Sequence, residues 1–129
     1  FVALQHLAES AGDKALPASL RDIVTAGEQL RTTPAIRAVF ERSACRLHNH
    51  YGPTESHVAT AYSLPDDVAE WDDLPPIGRP IGNVAIHLLD EAGQPVPVGV
   101  PGELCIAGPC LADGYLKRPE TSPGGVRTG

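Results

Sequence analysis

The chain has no excess of positive charge and no long apolar run. Ten Lys and Arg residues stand against sixteen Asp and Glu residues among 129, which gives a formal charge of −6. Nucleic acids and anionic membrane surfaces require a basic footprint, so we expect neither as a partner. No apolar stretch approaches the ~20 residues that a membrane-spanning helix needs.

The chain is also poor in cysteine, and its start has no features of a leader. Cys45, Cys105 and Cys110 are too few, and odd in number, for a disulfide framework, which favours a cytoplasmic location. The first six residues lack the charged region of a signal peptide. The apolar start and the last residues, Arg127-Thr128-Gly129, lack the polar linkers usual at domain edges, so we expect a piece of a larger protein.

The first 64 residues alternate helical and extended patterns. Residues 22–27 form a short β-branched run closed by glycine, and residues 45–49 form a second candidate strand. Between them, Thr33 can cap a helix whose first residue is Pro34. A preceding helix, packed on the core, is expected from three apolar residues: Val2, Leu4 and Leu7. This order predicts a βαβ unit with parallel strand pairing.

The second half predicts a small antiparallel sheet or a partial barrel. Glycine and proline turns separate three candidate strands: residues 58–64, 84–89 and 103–108. Residues 65–76 are polar and acidic and carry the only tryptophan, Trp71, so we expect a linker loop there. The predicted organisation is an α/β part over residues 1–64, the linker over 65–76 and a β-rich part over 77–129.

The stretch from Asn49 to His57 carries the most chemically useful side chains. It follows a strand expected to be parallel, and open α/β sheets bind ligands beyond the carboxyl ends of their strands. Gly52-Pro53 forces a turn there. Four groups suit a nucleotide and its metal ion: the Asn49 amide, the Tyr51 ring, the Thr54 hydroxyl and the Glu55 carboxylate. The competing interpretation is a structural turn, with Tyr51 in the core and Thr54 capping a short helix.

Neighbouring histidines and cysteines do not have the spacing of a metal site. His48, His50 and Cys45 lack the C-x-x-C or H-x-x-x-H pairs of a zinc site. As strand residues, His48 and His50 share one face, which favours a lone pocket histidine over a ligand pair. No Gly-rich phosphate loop is present. Cys105 and Cys110 are expected to be small buried apolar residues rather than nucleophiles.

Several motifs resemble those of one family. Residues 50–55 resemble the Y-G-P-T-E core motif of adenylation domains from nonribosomal peptide synthetases, within the acyl-adenylate-forming superfamily. Three further segments resemble G-E-L-x-I-x-G-x-x-L-A-R-G-Y-L-x-R-P, P-I-G-x-P-I and the start of Y-R-T-G-D: residues 102–119, 76–81 and 127–129. The resemblance implies an α/β fold: part of a flavodoxin-like α/β/α subdomain, followed by a small antiparallel or barrel-like β segment.

The resemblance also implies a reaction and its cofactors. An amino acid and ATP would give aminoacyl-AMP and pyrophosphate, and the aminoacyl group would pass to the phosphopantetheine thiol of a peptidyl carrier domain. Thr54 and Glu55 would be the catalytic residues, Thr54 on the α-phosphate and Glu55 on Mg²⁺. Asn49 would contact the adenine edge, and Tyr51 and the Gly27-Glu28 turn would flank its ring. The implied nucleotide-binding set is Gly27, Glu28, Asn49, Tyr51 and Thr54.

The same resemblance implies a substrate pocket. Its expected lining residues are Val2, Val24, Ala26, His50, Val58 and Ala59. All but His50 are small and apolar, so a compact, uncharged side chain is expected, since a polar one would be left unpaired. The combination of alanine, histidine and valine resembles that of proline-activating domains, so proline or a small aliphatic residue is the expected substrate.

Departures from the family pattern limit what the chain is expected to do alone. Asp113 stands where arginine is usual, and residues 121–127 are shorter than the family's loop. The family's phosphate-binding loop, acidic amine anchor and C-terminal subdomain with its lysine have no counterpart here, so we expect a fragment without adenylation activity of its own. Two alternatives stay open: an aryl or fatty acyl-coenzyme A ligase of the same superfamily, and an excised, non-catalytic subdomain.

Overall fold

The computed structural model describes residues 1–113, which form two compact units. The first unit consists of Phe1–Tyr51 and Thr60–Arg79, and the second of Gly52–Ala59 and the described residues from 80 to 113. The predicted motif residues after Asp113, the short stretch 121–127 and Arg127-Thr128-Gly129 lie outside the described residues. The predicted division at residues 64 and 76 stays a prediction.

The first unit contains two helices and most of a four-stranded sheet. Its elements in chain order are α1 (Val2–Ala11), β1 (Asp22–Thr25), α2 (Pro34–Glu41), β2 (Arg46–Tyr51), β3 (Thr60–Ser63), a 3₁₀ helix (Val68–Glu70) and β4 (Arg79–Pro80). The strand order is β1-β2-β3-β4, and the chain passes from the first unit to the second within β4.

The predicted βαβ unit is confirmed. Strand β1 runs parallel to β2, with Val24 beside His48 and Thr25 beside Asn49, and α2 connects the two strands. Strand β3 then returns antiparallel to β2, with His50 beside Ala61. The carboxyl ends of β1 and β2 therefore lie at the same edge of the sheet.

Helix α2 begins as its sequence predicts. The Thr33 hydroxyl accepts a hydrogen bond from the Ile36 N–H at 3.4 Å, and Pro34 occupies the first helical position, where its missing N–H costs nothing. Ile36, Val39 and Phe40 are buried, so the apolar face of α2 forms the centre of the core.

Helix α1 forms where predicted, but its buried face differs from the expected one. Leu4 and Ala8 are buried, whereas Val2 and Leu7 are 68% and 40% exposed. Residues four apart lie on the same face of a helix, so Leu4 and Ala8 share the contact with the core while Val2 and Leu7 lie beside it. The expectation that Val2 and Leu7 pack on the core is therefore wrong.

The acidic segment 65–76 is more ordered than a linker loop. It contains the 3₁₀ helix, and its Val68 and Trp71 are buried in the core of the first unit. The Trp71 ring packs against Phe40 with centroids 5.4 Å apart, and its indole N–H donates to the Pro65 carbonyl at 2.7 Å. Two apolar residues three positions apart, Val68 and Trp71, thus hold the acidic segment against the core.

Arg37 binds this segment to α2. Its guanidinium donates to the carbonyls of Val68 and Trp71 at 3.1 and 2.8 Å, and to the Asp73 carboxylate at 3.0 Å. It also donates to both the carbonyl and the hydroxyl of Thr32. Because the side chain is only 22% exposed, these carbonyls would have few alternative partners without it.

A second polar network crosses the sheet on the face opposite the core. Asp22 Oδ1 accepts hydrogen bonds from His48 Nε2 and Arg46 Nε, each at 2.9 Å, and His48 Nδ1 lies 2.8 Å from Ser63 Oγ. The hydrogen bond from His48, and then the Arg46 guanidinium, hold the pKa of Asp22 below its ordinary value. The network joins β1, β2 and β3.

The second unit contains a two-stranded antiparallel sheet. Strands β5 (Ala85–Leu89) and β6 (Glu103–Ala107) form at two of the predicted positions, with Leu88 beside Leu104. Asp90 Oδ1 accepts from the N–H groups of Ala92 and Gln94, which closes the turn after β5. Of the antiparallel and barrel alternatives, the antiparallel sheet is present, and no barrel closes within residues 1–113.

None of the helices up to residue 113 has the length and apolar character needed to cross a membrane.

We expect Arg37→Ala to lower the free energy of unfolding by about 2–4 kcal/mol, because several buried carbonyls lose a charged donor. Arg37→Lys should recover only part of this, since an ammonium cannot reproduce the planar arrangement of donors. Urea titration of the purified chain measures both, with the exposed Arg31→Ala as the matched control. An effect of Arg37→Ala no larger than that of Arg31→Ala would contradict the assigned role.

We expect the stabilisation from Asp22 to depend on pH. Since its pKa is lowered on folding, the contribution is present above the carboxyl's ordinary value and disappears as pH falls through the lowered one. Asp22→Asn should therefore be less stable than the wild type near neutral pH, and the difference should shrink below about pH 4. Urea titrations across this range test it, with the exposed Asp13→Asn as control; a deficit independent of pH would contradict it.

Candidate functional site

The alternation of β2 separates the predicted site residues of the first unit onto two faces. Leu47 and Asn49 are 1% and 4% exposed and face the core. Arg46, His48 and His50 point to the opposite face, because successive strand residues alternate. We call this opposite face of β1, β2 and β3 the open face.

Predicted pocket residues come together on the open face. Val24 lies there on β1 and is 53% exposed, and His50 lies there on β2 and is half-buried. Ala26 is exposed and follows the last residue of β1. Val2 is on α1, and its N–H faces Glu28 at 3.5 Å. The other two predicted pocket residues, the half-buried Val58 and fully buried Ala59, belong to the second unit.

Asn49 has a structural partner in addition to its predicted adenine contact. Its amide nitrogen donates to the Pro76 carbonyl at 3.0 Å, with the Pro75 carbonyl at 3.5 Å. A buried amide requires such partners. Asn49 therefore ties the end of β2 to the segment that follows Trp71, and its adenine contact stays a prediction.

The Gly27-Glu28 turn follows β1 at the same sheet edge. Gly27 has φ +85°, a left-handed conformation that favours glycine. Glu28 accepts a hydrogen bond from the backbone N–H of Val2 at 3.5 Å, at the start of α1. Tyr51 ends β2 at this edge and is half-buried.

The Gly52–Ala59 segment of the second unit is a tightly closed loop. The Ser56 N–H donates to the Pro53 carbonyl at 3.1 Å, which closes a turn with Thr54 and Glu55 at its centre. A Cβ atom on Gly52 would lie 1.5 Å from the His57 carbonyl oxygen, so only glycine fits there. His57 itself has φ +54°. The loop contains no helix, so Thr54 is not a helix cap.

Thr54 and Glu55 are adjacent on this turn. Thr54 is exposed and Glu55 is half-buried. The Glu55 carbonyl accepts from the Ala112 N–H at 2.7 Å, so the turn is fixed against the segment after β6. A hydroxyl and a carboxylate are the hard oxygen donors that suit phosphate oxygens and Mg²⁺. The donor set therefore fits a Mg²⁺–nucleotide complex.

The sequence did not indicate the contacts between β3 and residues 76–78. The buried Thr60 hydroxyl donates to the Ile77 carbonyl at 2.6 Å. Gly78 has φ +85°, and a Cβ there would lie 2.0 Å from the Ala61 carbonyl oxygen, so the backbones touch. The P-I-G-x-P-I resemblance marked this segment, but nothing in the sequence indicated that β3 and Asn49 would be its partners.

A cleft in the first unit lies away from the predicted site. It measures about 480 Å³ and lies at the amino ends of β1 and β2, where Asp22, Arg46 and Trp71 are among its lining residues. None of the predicted site residues lines it. Since α/β sheets bind ligands at the carboxyl ends of their strands, we place no nucleotide there.

Comparison with known sequences identifies relatives for most of the chain. The family profile described as AMP-binding enzyme matches residues 2–116. Tyrocidine synthase 2 of Brevibacillus parabrevis is 43% identical over 107 residues, which are 83% of this chain and 3% of that protein. Malpibaldin synthetase of Mortierella alpina is 45% identical over 112 residues, 86% of this chain and 2% of that protein. The chain thus spans only a few per cent of the length of these relatives.

Comparison with solved structures gives the same fold. A four-domain nonribosomal peptide synthetase, holo-AB3403 bound to AMP and glycine, is 32% identical with a TM-score of 0.76, over 98% of this chain and 9% of that one. The N-terminal subdomain of Klebsiella oxytoca NpsA, in complex with 3-hydroxybenzoyl-AMSN, has a TM-score of 0.73 at 22% identity, over 95% and 31% of the chains. The second likeness establishes the fold alone.

The turn that carries Thr54 and Glu55, the βα arrangement before it and the antiparallel strands after it all lie within the matched residues. The chain belongs to the family of AMP-binding enzymes, as a segment of an adenylation domain of the nonribosomal peptide synthetase type.

Proposed function

We propose that this chain is part of a protein that activates an amino acid with ATP, forming aminoacyl-AMP and pyrophosphate. The observation that carries the proposal is the closed loop Gly52–Ala59, whose turn presents Thr54 and Glu55 side by side within the region matched by the AMP-binding family. The AMP and glycine bound to the related four-domain synthetase support the choice of substrates.

The nucleotide would contact residues of two kinds: those that bind its phosphates and metal ion, and those that flank its base. Thr54 would donate its hydroxyl hydrogen to an α-phosphate oxygen, and Glu55 would hold Mg²⁺, which neutralises phosphate charge when bound. In the first unit, Tyr51 and the Gly27-Glu28 turn would flank the adenine ring, with Asn49 at its edge. These residues bind and orient; the chemistry requires positioning and charge neutralisation more than covalent participation.

The amino-acid side chain would contact the open face of the sheet. Val24 and His50 lie there on neighbouring strands, and the other residues of the predicted pocket are Val2, Ala26, Val58 and Ala59. The exposed apolar surface of Val24 suits a compact, uncharged side chain, and charged substrates would lose solvation without gaining a partner. We propose proline or a small aliphatic amino acid as the substrate.

The activated group would then pass to a carrier domain. The fused adenylation–PCP di-domain among the structural neighbours supports a partner of this kind. The partner would carry a phosphopantetheine thiol, and a C-terminal adenylation subdomain would complete the enzyme.

A second candidate function is activation of an aryl acid. The related NpsA subdomain holds a 3-hydroxybenzoyl compound, which is an aryl acyl group without an α-amine. The two functions differ in whether the substrate must carry an α-amino group, so a substrate panel separates them.

We expect the full-length adenylation protein that contains this chain to catalyse pyrophosphate exchange that depends on proline or a small aliphatic amino acid. Exchange with benzoates and not with amino acids would favour the aryl function. Glu55→Gln should lower the exchange rate by about 10²-fold or more, because it removes the charge that holds Mg²⁺. The exposed Glu91→Gln, on the turn after β5, is the matched control. Unchanged exchange in Glu55→Gln would contradict the proposed role.

We expect Gly52→Ala to abolish exchange in the same protein. The added methyl group meets the backbone carbonyl of His57, so the loop must open and Thr54 and Glu55 must move. Gly93→Ala is the control, because it also sits at positive φ, +74°, but has open space around its Cβ position. If Gly52→Ala retained wild-type exchange, the closed loop could not be the catalytic element.

A further inference from the structure

His48 is hydrogen-bonded on both sides across the sheet. Its Nε2 lies 2.9 Å from Asp22 Oδ1 on β1, and its Nδ1 lies 2.8 Å from Ser63 Oγ on β3. An ionised carboxylate only accepts hydrogen bonds, so Nε2 carries the hydrogen. In the neutral ring, Nδ1 then accepts from the Ser63 hydroxyl. Donation therefore runs from Ser63 through His48 to Asp22.

This network lies beside the predicted pocket residues of the open face. His48 and His50 share the open face of β2, and their Cα atoms are separated by two residues, about 7 Å along the strand. Val24 is the register partner of His48, and Ser63 lies two residues beyond Ala61, the partner of His50. The residues that join β1, β2 and β3 are thus neighbours, on one face of the sheet, of the residues that would contact the substrate.

The ring at the centre of the network is largely buried, whereas its charged partners are open to solvent. The His48 side chain is only 16% exposed, although the Asp22 side chain is 40% exposed. Arg46 donates to the same Asp22 oxygen, at 2.9 Å. Side-chain bonds of this kind supplement the backbone ladder, which is only four residue pairs long on each side of β2.

We propose that His48 is a positioning residue for the substrate pocket. By joining β1 and β3 to β2, it keeps Val24 and His50 at a fixed separation, and with it the width of the pocket. It acts through these residues and does not touch the substrate. The inference rests on the proposed function.

Loss of the ring would loosen the open face of the sheet. Asn49, the proposed nucleotide contact next to His48, points to the opposite face and keeps its own bond to the Pro76 carbonyl. We therefore expect His48→Ala to raise KM for the preferred amino acid about fivefold to tenfold. Discrimination between that amino acid and one with a larger neutral side chain should fall, while KM for ATP stays within about twofold. Pyrophosphate exchange by the full-length adenylation protein measures all three.

His48→Gln is the conservative rescue, because its amide N–H can donate to Asp22 while its carbonyl accepts from Ser63. It should restore much of the amino-acid KM and of the discrimination, which a general loss of stability would not explain. His87→Ala, an exposed histidine on β5, should leave all parameters unchanged.

If His48→Ala fails to fold, Ser63→Ala serves in its place, since it removes one bond of the network and leaves the ring. It should give a smaller change of the same kind. Equal rises in KM for ATP and for the amino acid, or no change in either, would overturn the positioning role. Absence of exchange in the wild-type protein would instead refute the proposed function.

The hydrogen-bond network can be tested separately, from the ¹⁵N chemical shifts of the His48 ring in this chain. The network requires the tautomer with its hydrogen on Nε2, and the other tautomer would overturn it.

Discussion

The parallel pairing of β1 with β2 is the constraint on which the other features of the first unit depend. Parallel strands end at the same edge, so the Gly27-Glu28 turn, which follows β1, and Tyr51, which ends β2, both lie there. Alternation along β2 then assigns Asn49 to the core and His50 to the open face. A shift of one residue in this register would exchange the two sets. The register therefore determines which side chains could meet a substrate.

Local features of the fold could be predicted from the sequence. The Thr33 cap, the Pro34 helix start and the β-branched run before Gly27 each depend on residues close together in the chain, and each is present. The turn directly after Gly52 also follows from local chemistry, although only the structure gives the reason for glycine, which is the approach of the His57 carbonyl. The family resemblance supplied the proposed roles of Thr54 and Glu55, which neither composition nor spacing could assign.

Features that depend on distant partners could not be predicted. Asn49 looked like a ligand-binding amide, and its bond to the Pro76 carbonyl depends on a segment 27 residues away. The acidic composition of residues 65–76 indicated a loop. The burial of Val68 and Trp71 could not be predicted, because their partners Phe40 and Arg37 precede them by about thirty residues. His50 was the histidine assigned to the pocket and no role was predicted for His48, because its link to Asp22 and Ser63 depends on the register of three strands. The periodicity of apolar residues predicts single helices and strands, whereas the polar contacts of Asn49, Arg37 and His48 join different elements.

The Arg37 contacts have a consequence for how the first unit comes apart. The Arg37 guanidinium donates to the carbonyls at both ends of the Val68–Trp71 stretch. The Thr32 hydroxyl and N–H donate to the next two carbonyls, those of Asp72 and Asp73. Releasing the acidic stretch would strand a cation and uncover Phe40, so it cannot detach at small energetic cost while α2 stays in place. Helix α2 and residues 65–76 would therefore unfold together, as a single cooperative unit. The acidic segment would resist proteolysis until that unit opens, although its composition is that of a flexible linker.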